Sequence, residues 1–364
     1  MNRHLEIFAK SPQNGGVSLF DHLQQTALAA DKIACELGLN SSLIKCGAFL
    51  HDIGKTHPVF QEKLNGKKDF TKIDFRHEIA SLFFLPLFQR DYWHPLTEMI
   101  IAHHRSPVKD IREQGIIDLI EIEGVDDVFE RHIESWDNWS TIALEILEAL
   151  GLKTRKLTRN EALEAFNFAV DHCEQKPLGW SKLKGILISS DYLASALTEN
   201  TANVLPKLFR VPDLNYFSSD ARKSPLYPLS MMNTADKRKH TIVIAPTGAG
   251  KTDFLMRRCS KRVFYILPFQ ASINAMYKRF KSSLPPETDI RLLHAASSVV
   301  IKNKNEYEEK VLQPLVGSSV KVLTPHQIAS LICGTRGFES IAVDIAGCDV
   351  ILDEIHCYSD LSQS

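Results

Sequence analysis

The sequence predicts a two-part chain: an all-α half over residues 1–200 and a parallel α/β half over residues 241–364, joined by residues 201–240. Three observations predict it. Apolar residues recur at helical spacing through the first 200 positions. From Thr241 onward, short apolar runs alternate with helical stretches, the rhythm of a parallel sheet. Between them lie several Pro and Ser residues and the basic cluster Lys237-Arg238-Lys239, which read as a linker and lead-in. A length of 364 residues suits two domains, and 44% hydrophobic with 24% charged residues is ordinary globular composition. A net charge of -1 gives no global attraction to nucleic acid, so any such binding needs local basic surface. No apolar run is long enough for a membrane span and the N-terminus has no apolar signal segment, so a cytoplasmic protein is expected. The seven Cys form no C-x-x-C pair and read as reduced thiols.

In chain order, Leu19, Leu23, Ala27, Ala30 and Ala34 mark a helix over 17–38, stopped at Gly38. A second is expected over 41–51, capped by Ser41 or Ser42 and ending at His51-Asp52. There Gly54 loosens the backbone and Lys55 follows. Residues 59–72 are Lys-rich and read as an exposed connection. Helices resume near His77 and from about Leu96 to His104, then at about 140–150 and 159–172. A last apolar stretch, Gly185 to Ala194, carries one acid, Asp191. Strands are predicted at 241–246, 263–267, 289–293, 319–323 and 348–353.

Eight of the fourteen His fall in the first 104 residues, which points to a site there. His22, His51, Asp52, His77, His103, His104 and Asp191 lie at helix ends or on apolar helix faces. Each alone has a bland reading: a capped turn, a solvated ring, or a His pair closing a helix through its dipole. Asp191 resists that reading, because a carboxylate among Leu187, Ile188, Leu193 and Ala194 is costly to bury without a partner. Five His and two Asp suffice for two divalent metals, with Asp52 central in the ligand order and hence the natural bridge. Ligation rich in His favours transition metals such as iron, manganese, nickel or cobalt over magnesium.

In the second half, Thr241 to Ala245 lead into Pro246-Thr247-Gly248-Ala249-Gly250-Lys251-Thr252. Gly248 and Gly250 let backbone N–H groups approach phosphates, Lys251 meets β and γ oxygens, and the Thr252 hydroxyl can ligate magnesium. The apolar run before Asp353-Glu354 delivers Asp353 to the magnesium, with Glu354 orienting the attacking water. ATP with magnesium is therefore the expected ligand of this half.

The order His22, His51-Asp52-x-x-Lys55, His77, His103-His104, Asp191 resembles the HD phosphohydrolases. Asp21-His22-Leu23 with Thr26-Ala27, the His103-His104 doublet, and Ser189-Ser190-Asp191-Tyr192-Leu193-Ala194-Ser195 resemble in particular the HD nuclease domain of type I CRISPR-associated helicase-nucleases. The resemblance covers residues 1–200. It implies one metal on His22, His51, Asp52 and Asp191, a second on Asp52, His77, His103 and His104, and Lys55 against phosphate. It also implies cleavage of single-stranded DNA by a cytoplasmic monomer recruited by a Cascade-type surveillance complex.

Asp353-Glu354-Ile355-His356 is similar to motif II of superfamily 2 helicases, Leu267-Pro268-Phe269 to motif Ia, and Leu323-Thr324-Pro325-His326-Gln327 to motif Ib. The resemblance implies an all-α HD domain followed by an incomplete RecA-like helicase lobe. Two departures stand out. Ser230, after Leu226-Tyr227-Pro228-Leu229, occupies the place of an adenine-reading Gln. The sequence given also stops at Ser364, before motif III and the second lobe, so unwinding by this chain alone is not expected. Lys153, Arg155, Lys156 and Arg159 form a basic cluster that either contacts a DNA backbone or is a solvated helix face. Two other functions fit the residues: an HD phosphohydrolase acting on nucleotides, and a non-catalytic, ATP-gated DNA-binding fragment.

Overall fold

The computed structural model describes residues 6–11, 15–66, 75–101, 107–108, 115–176, 181–218, 222, 225–293, 315–334 and 338–362. His103 and His104 lie outside the described residues. The backbone divides into two units, Met1–Pro206 and Lys207–Ser364.

The first unit is helical: α1 (Leu19–Glu36), α2 (Ser41–Leu50), α3 (Pro58–Leu64), α4 (His77–Leu82), α5 (Trp93–Ile101), α6 (Ile116–Glu123), α7 (Val125–Ile133), α8 (Trp136–Ala149), α9 (Arg159–Gln175), α10 (Lys182–Leu197) and the single turn α11 (Thr201–Val204). Ser18 starts α1 by accepting the Asp21 N–H at 3.0 Å. Asn40, not Ser41 or Ser42, caps α2, accepting the Leu43 N–H at 3.2 Å. The expected exposed connection after residue 58 contains α3, begun by Pro58 at its first position. Helix α1 packs on α2 and α10, and its Leu19, Leu23, Ala27, Ala30 and Ile33 are all buried. The remaining helices close over an aromatic core in which Phe83 meets Phe129, Trp136 and Phe166 edge-on.

The second unit carries a parallel sheet in the order β2 (Ile290–Leu293), β3 (Val320–Leu323), β1 (Val263–Ile266), β4 (Asp349–Leu352). Val263 aligns with Val320 on one side and with Asp349 on the other. Around it lie α12 (Lys251–Arg258), α13 (Gln270–Ser283), α14 (Pro325–Cys333) and α15 (Phe338–Ile345).

One expectation fails. Residues 241–246 form no strand, and Ile242 and Ile244 are 89% and 95% exposed. The β propensity of Thr-Ile-Val-Ile acts only against a neighbouring ladder, and this segment has none among the described residues. The four other strands match their expected positions within a residue or two.

Candidate metal centre and phosphate-binding loop

The short 3-10 turn Ile53–Thr56 follows α2 and places Asp52 at its head. Asp52 is 2% exposed and meets four cationic or imidazole groups. Its Oδ2 lies 3.1 Å from His22 Nε2, 3.4 Å from His51 Nε2 and 2.5 Å from Lys55 Nζ. Its Oδ1 lies 2.9 Å from His77 Nε2. His22, on α1, also reaches Asp191 Oδ1 on α10 at 3.2 Å. Ligand atoms of His22, His51 and Asp191 all lie within 4.8 Å of one another. Three helices and one turn, spread over 170 positions of sequence, thus converge on five of the seven expected ligands.

The orientation of these rings is set from behind. His51 Nδ1 faces the Ala48 carbonyl at 2.7 Å, which turns Nε2 toward Asp52. His77 Nδ1 faces Glu78 Oε2 at 3.6 Å, an acid buried beside it. The Ser195 hydroxyl donates to Asp191 Oδ1 at 3.4 Å. Gln61 donates to the Lys55 carbonyl at 2.7 Å and to the Phe8 carbonyl at 2.9 Å, tying the Lys55 turn to the N-terminal segment. Ser195 closes the motif around Asp191, whereas Glu78 and Gln61 did not stand out as site residues in the sequence, where each reads as an ordinary polar helix residue.

Gly54 does not loosen this turn. A Cβ there would stand 2.1 Å from the His77 carbonyl oxygen and 2.9 Å from Ala80 Cβ. Its hydrogen is what permits α4 to pack on the turn, with the Gly54 N–H donating to Ser81 Oγ at 2.9 Å. That close approach carries His77 to Asp52.

Burial works against charge here, and the carboxylates decide the outcome residue by residue. Burial lowers the His22 pKa, but hydrogen bonds to Asp191 and Asp52 outweigh it and the ring is held above its ordinary value. At His77 burial wins over Asp52, and the pKa falls. Burial would raise Asp191, yet the His22 hydrogen bond and the charges of His51 and His22 hold its carboxyl below the usual range.

The donor set is chemically fit for borderline divalent metals: imidazole Nε2 atoms and carboxylate oxygens, converging in a largely buried space.

In the second unit, Gly248 and Gly250 adopt φ of 82° and 92°, open to glycine. A Cβ on Gly250 would lie 2.7 Å from Ser230 Oγ. Ser230 is buried and donates to Asp253 Oδ2 at 2.6 Å. Lys251 Nζ donates back to its own loop, to the Ala245 carbonyl at 2.8 Å. Asp353, at the end of β4, accepts from the Tyr265 hydroxyl at 2.6 Å, and the same hydroxyl lies 3.5 Å from Thr252 Oγ1. Glu354 holds a left-handed backbone, φ 54°, and its N–H donates to Asp353 Oδ1 at 3.0 Å. Thr247, Gly248, Gly250, Lys251, Thr252, Asp353 and Glu354 line one cleft of about 660 Å³.

Three of the four residues of the basic cluster meet acids nearby. Arg155 meets Glu161 at 2.7 Å, Lys156 meets Asp137 at 3.3 Å, and Arg159 pairs with Glu130. This favours the solvated-face reading over a phosphate track.

Residues 19–123 match the HD domain family and residues 229–364 the DEAD/DEAH box helicase family. The chain is 24% identical to the CRISPR-associated nuclease/helicase Cas3 of Methanothermobacter thermautotrophicus, across 97% of this chain and 50% of that protein. Its fold is similar to crystal structures of T. fusca Cas3, with a TM-score of 0.57 at 17% identity, and of T. fusca Cas3-ATP, with a TM-score of 0.56 at 18% identity. Each match covers 97% of this chain and 47% or 46% of the other. The chain therefore spans about half the length of the relatives it matches. It carries a helical region matching the HD family, followed by a parallel-sheet α/β lobe matching the DEAD/DEAH box helicases, and is similar in sequence and fold to the Cas3 nuclease/helicases.

Proposed function

We propose that the first unit is a metal-dependent nuclease acting on single-stranded DNA, and that the second is a lobe binding ATP with magnesium. The observation that carries the first reading is Asp52 itself, in contact with three imidazoles and one ammonium in a buried cluster that also holds Asp191. Iron, manganese, nickel or cobalt bound there would supply Lewis acidity toward a phosphodiester and make a bound water acidic. The ligands are His22, His51, Asp52, His77 and Asp191, completed by His103 and His104. Asp52 spans the site with both oxygens. His51 offers Nε2 to the site while its Nδ1 faces the Ala48 carbonyl. Lys55, 12% exposed at its side chain, offers an ammonium to a phosphate oxygen at the rim.

The Cas3 relative is described as a CRISPR-associated nuclease/helicase. On the reading proposed here, which extends the motif resemblance, single-stranded DNA is the substrate, a Cascade-type complex the recruiting partner, and Asp52 and Lys55 the catalytic pair. In the second unit, Gly248, Gly250, Lys251 and Thr252 hold the phosphates, Thr252 and Asp353 the magnesium, and Glu354 the attacking water.

The test is metal analysis of the purified chain with digestion of a single-stranded oligonucleotide in manganese, cobalt, nickel, iron(II) and magnesium. Two equivalents of transition metal, both lost in Asp52→Ala together with cleavage, support the reading. A protein that binds none of these metals overturns it. Hydrolysis of mononucleotides instead of oligonucleotides would make it a nucleotide phosphohydrolase.

A further inference from the structure

Tyr265 lies on β1, in the centre of the sheet, and is fully buried. Its ring packs edge-on against Phe280, with centroids 5.3 Å apart. A tyrosine used only for packing would need its hydroxyl satisfied by any nearby carbonyl. Here the hydroxyl turns to the two side chains expected to hold magnesium, 2.6 Å from Asp353 Oδ2 and 3.5 Å from Thr252 Oγ1. Asp353 Oδ1 meanwhile accepts the Glu354 N–H at 3.0 Å. The Asp353 main chain is approached by a second tyrosine, whose Tyr358 Oη lies 2.8 Å from the Asp353 carbonyl and 3.0 Å from the Ile266 carbonyl and shares its one hydrogen between them. Each carboxylate oxygen keeps a further lone pair, so these bonds orient Asp353 without using up its capacity as a ligand.

We propose that Tyr265 is a positioning residue of the magnesium–nucleotide site, holding the Asp353 carboxylate in register with Thr252 so that the metal-loaded nucleotide is preferred over the free one. The inference rests on reading the second unit as an ATP-binding lobe. Its scope is narrower than that reading, because it concerns only the coupling between metal and nucleotide. The hydroxyl acts through Asp353 and touches neither ligand.

The test is calorimetric titration of the full chain with ATP, once with EDTA and once with excess magnesium, for wild type, Tyr265→Phe, Asp353→Asn and the double variant. Phe keeps the ring and its packing, and circular dichroism checks that each variant is folded. In wild type, magnesium tightens ATP binding. In Tyr265→Phe that gain shrinks by about tenfold, while binding in EDTA stays unchanged, and adding Tyr265→Phe to Asp353→Asn changes nothing further. A merely structural role would weaken both titrations alike, and that result overturns the proposal. A magnesium gain equal to wild type also overturns it while leaving the ATP-site reading intact. A wild-type chain that binds no ATP in either titration overturns both.

Discussion

Asp52 shows how one residue's surroundings set its chemistry. Three His and one Lys face its two oxygens, so removing it strips the cluster of its central anion. Asp52→Ala is expected to abolish metal retention and single-strand cleavage together, read by elemental analysis and an oligonucleotide digest. Gly54 supports this geometry through its lack of a side chain. Gly54→Ala must move α4 off the turn, and about 3 kcal/mol of destabilisation is expected from such overpacking, measured by urea denaturation. Two further imidazoles make the helical unit sensitive to acid. Burial lowers both His57 and His132 to about 4. His132 is held neutral, with Nδ1 on the Val128 carbonyl at 2.6 Å and Nε2 accepting the Arg76 N–H at 3.0 Å. In the unfolded chain each titrates near 6.5, so between about 4 and 6.5 the unfolded state binds more protons. Their contribution is therefore complete above about 6.5 and is lost as the pH falls toward 4. Lowering the pH from 7.5 to 5 should cost roughly 2 kcal/mol for each ring, visible as a falling urea midpoint in chelator. His132→Gln should flatten that slope.

At the scale of elements, the two units differ in what their sequence disclosed. The His-Asp doublet alone reads equally as a capped turn, and it was Asp191, an acid among apolar neighbours, together with the order of the other polar residues that pointed to a site. The reason α4 meets the turn was not legible, since a glycine in sequence looks like freedom and only packing reveals it as clearance. Tyr265 was equally hidden, because an aromatic residue in Val-Phe-Tyr-Ile reads as core. Periodicity found the four strands of the sheet but misread 241–246, whose pattern alone cannot say whether a neighbour exists to pair with it. The sheet is also anchored by charges that no pattern announced. Asp344 on α15 meets Arg262 Nη1 at 2.9 Å, just before β1, and pairs with Lys321 on β3, while the Gly317 N–H donates to it at 2.8 Å. All three side chains are buried. Asp344→Ala would leave two cations in the interior without that anion. A loss of about 3 to 5 kcal/mol is expected, with a chemical denaturation curve of the α/β unit as the check.

At the scale of the whole molecule, the two ligand sites belong to separate backbone units, and each is built from residues of its own unit. Their chemistries should separate accordingly. Lys251→Ala is expected to remove ATP binding and leave oligonucleotide cleavage at the wild-type rate, whereas Asp52→Ala does the reverse, in paired calorimetry and digestion assays. Loss of cleavage in Lys251→Ala would show that the units depend on each other. The order of an all-α half and a parallel α/β half was readable from periodicity, and the HD and helicase identities from the resemblance of their short motifs. The partners proposed for the chain were not readable from local geometry and come from the resemblance of its motifs.

The bare stretch from Thr241 to Pro246 has a practical corollary. Its amides make no ladder, and its isoleucines stand almost wholly in solvent. Such backbone fits a protease cleft without prior unfolding. A brief digestion with a broad-specificity enzyme should therefore cut first just ahead of the phosphate-binding loop. Protection of that bond on adding ATP and magnesium would turn a nick on a gel into a reporter of nucleotide occupancy.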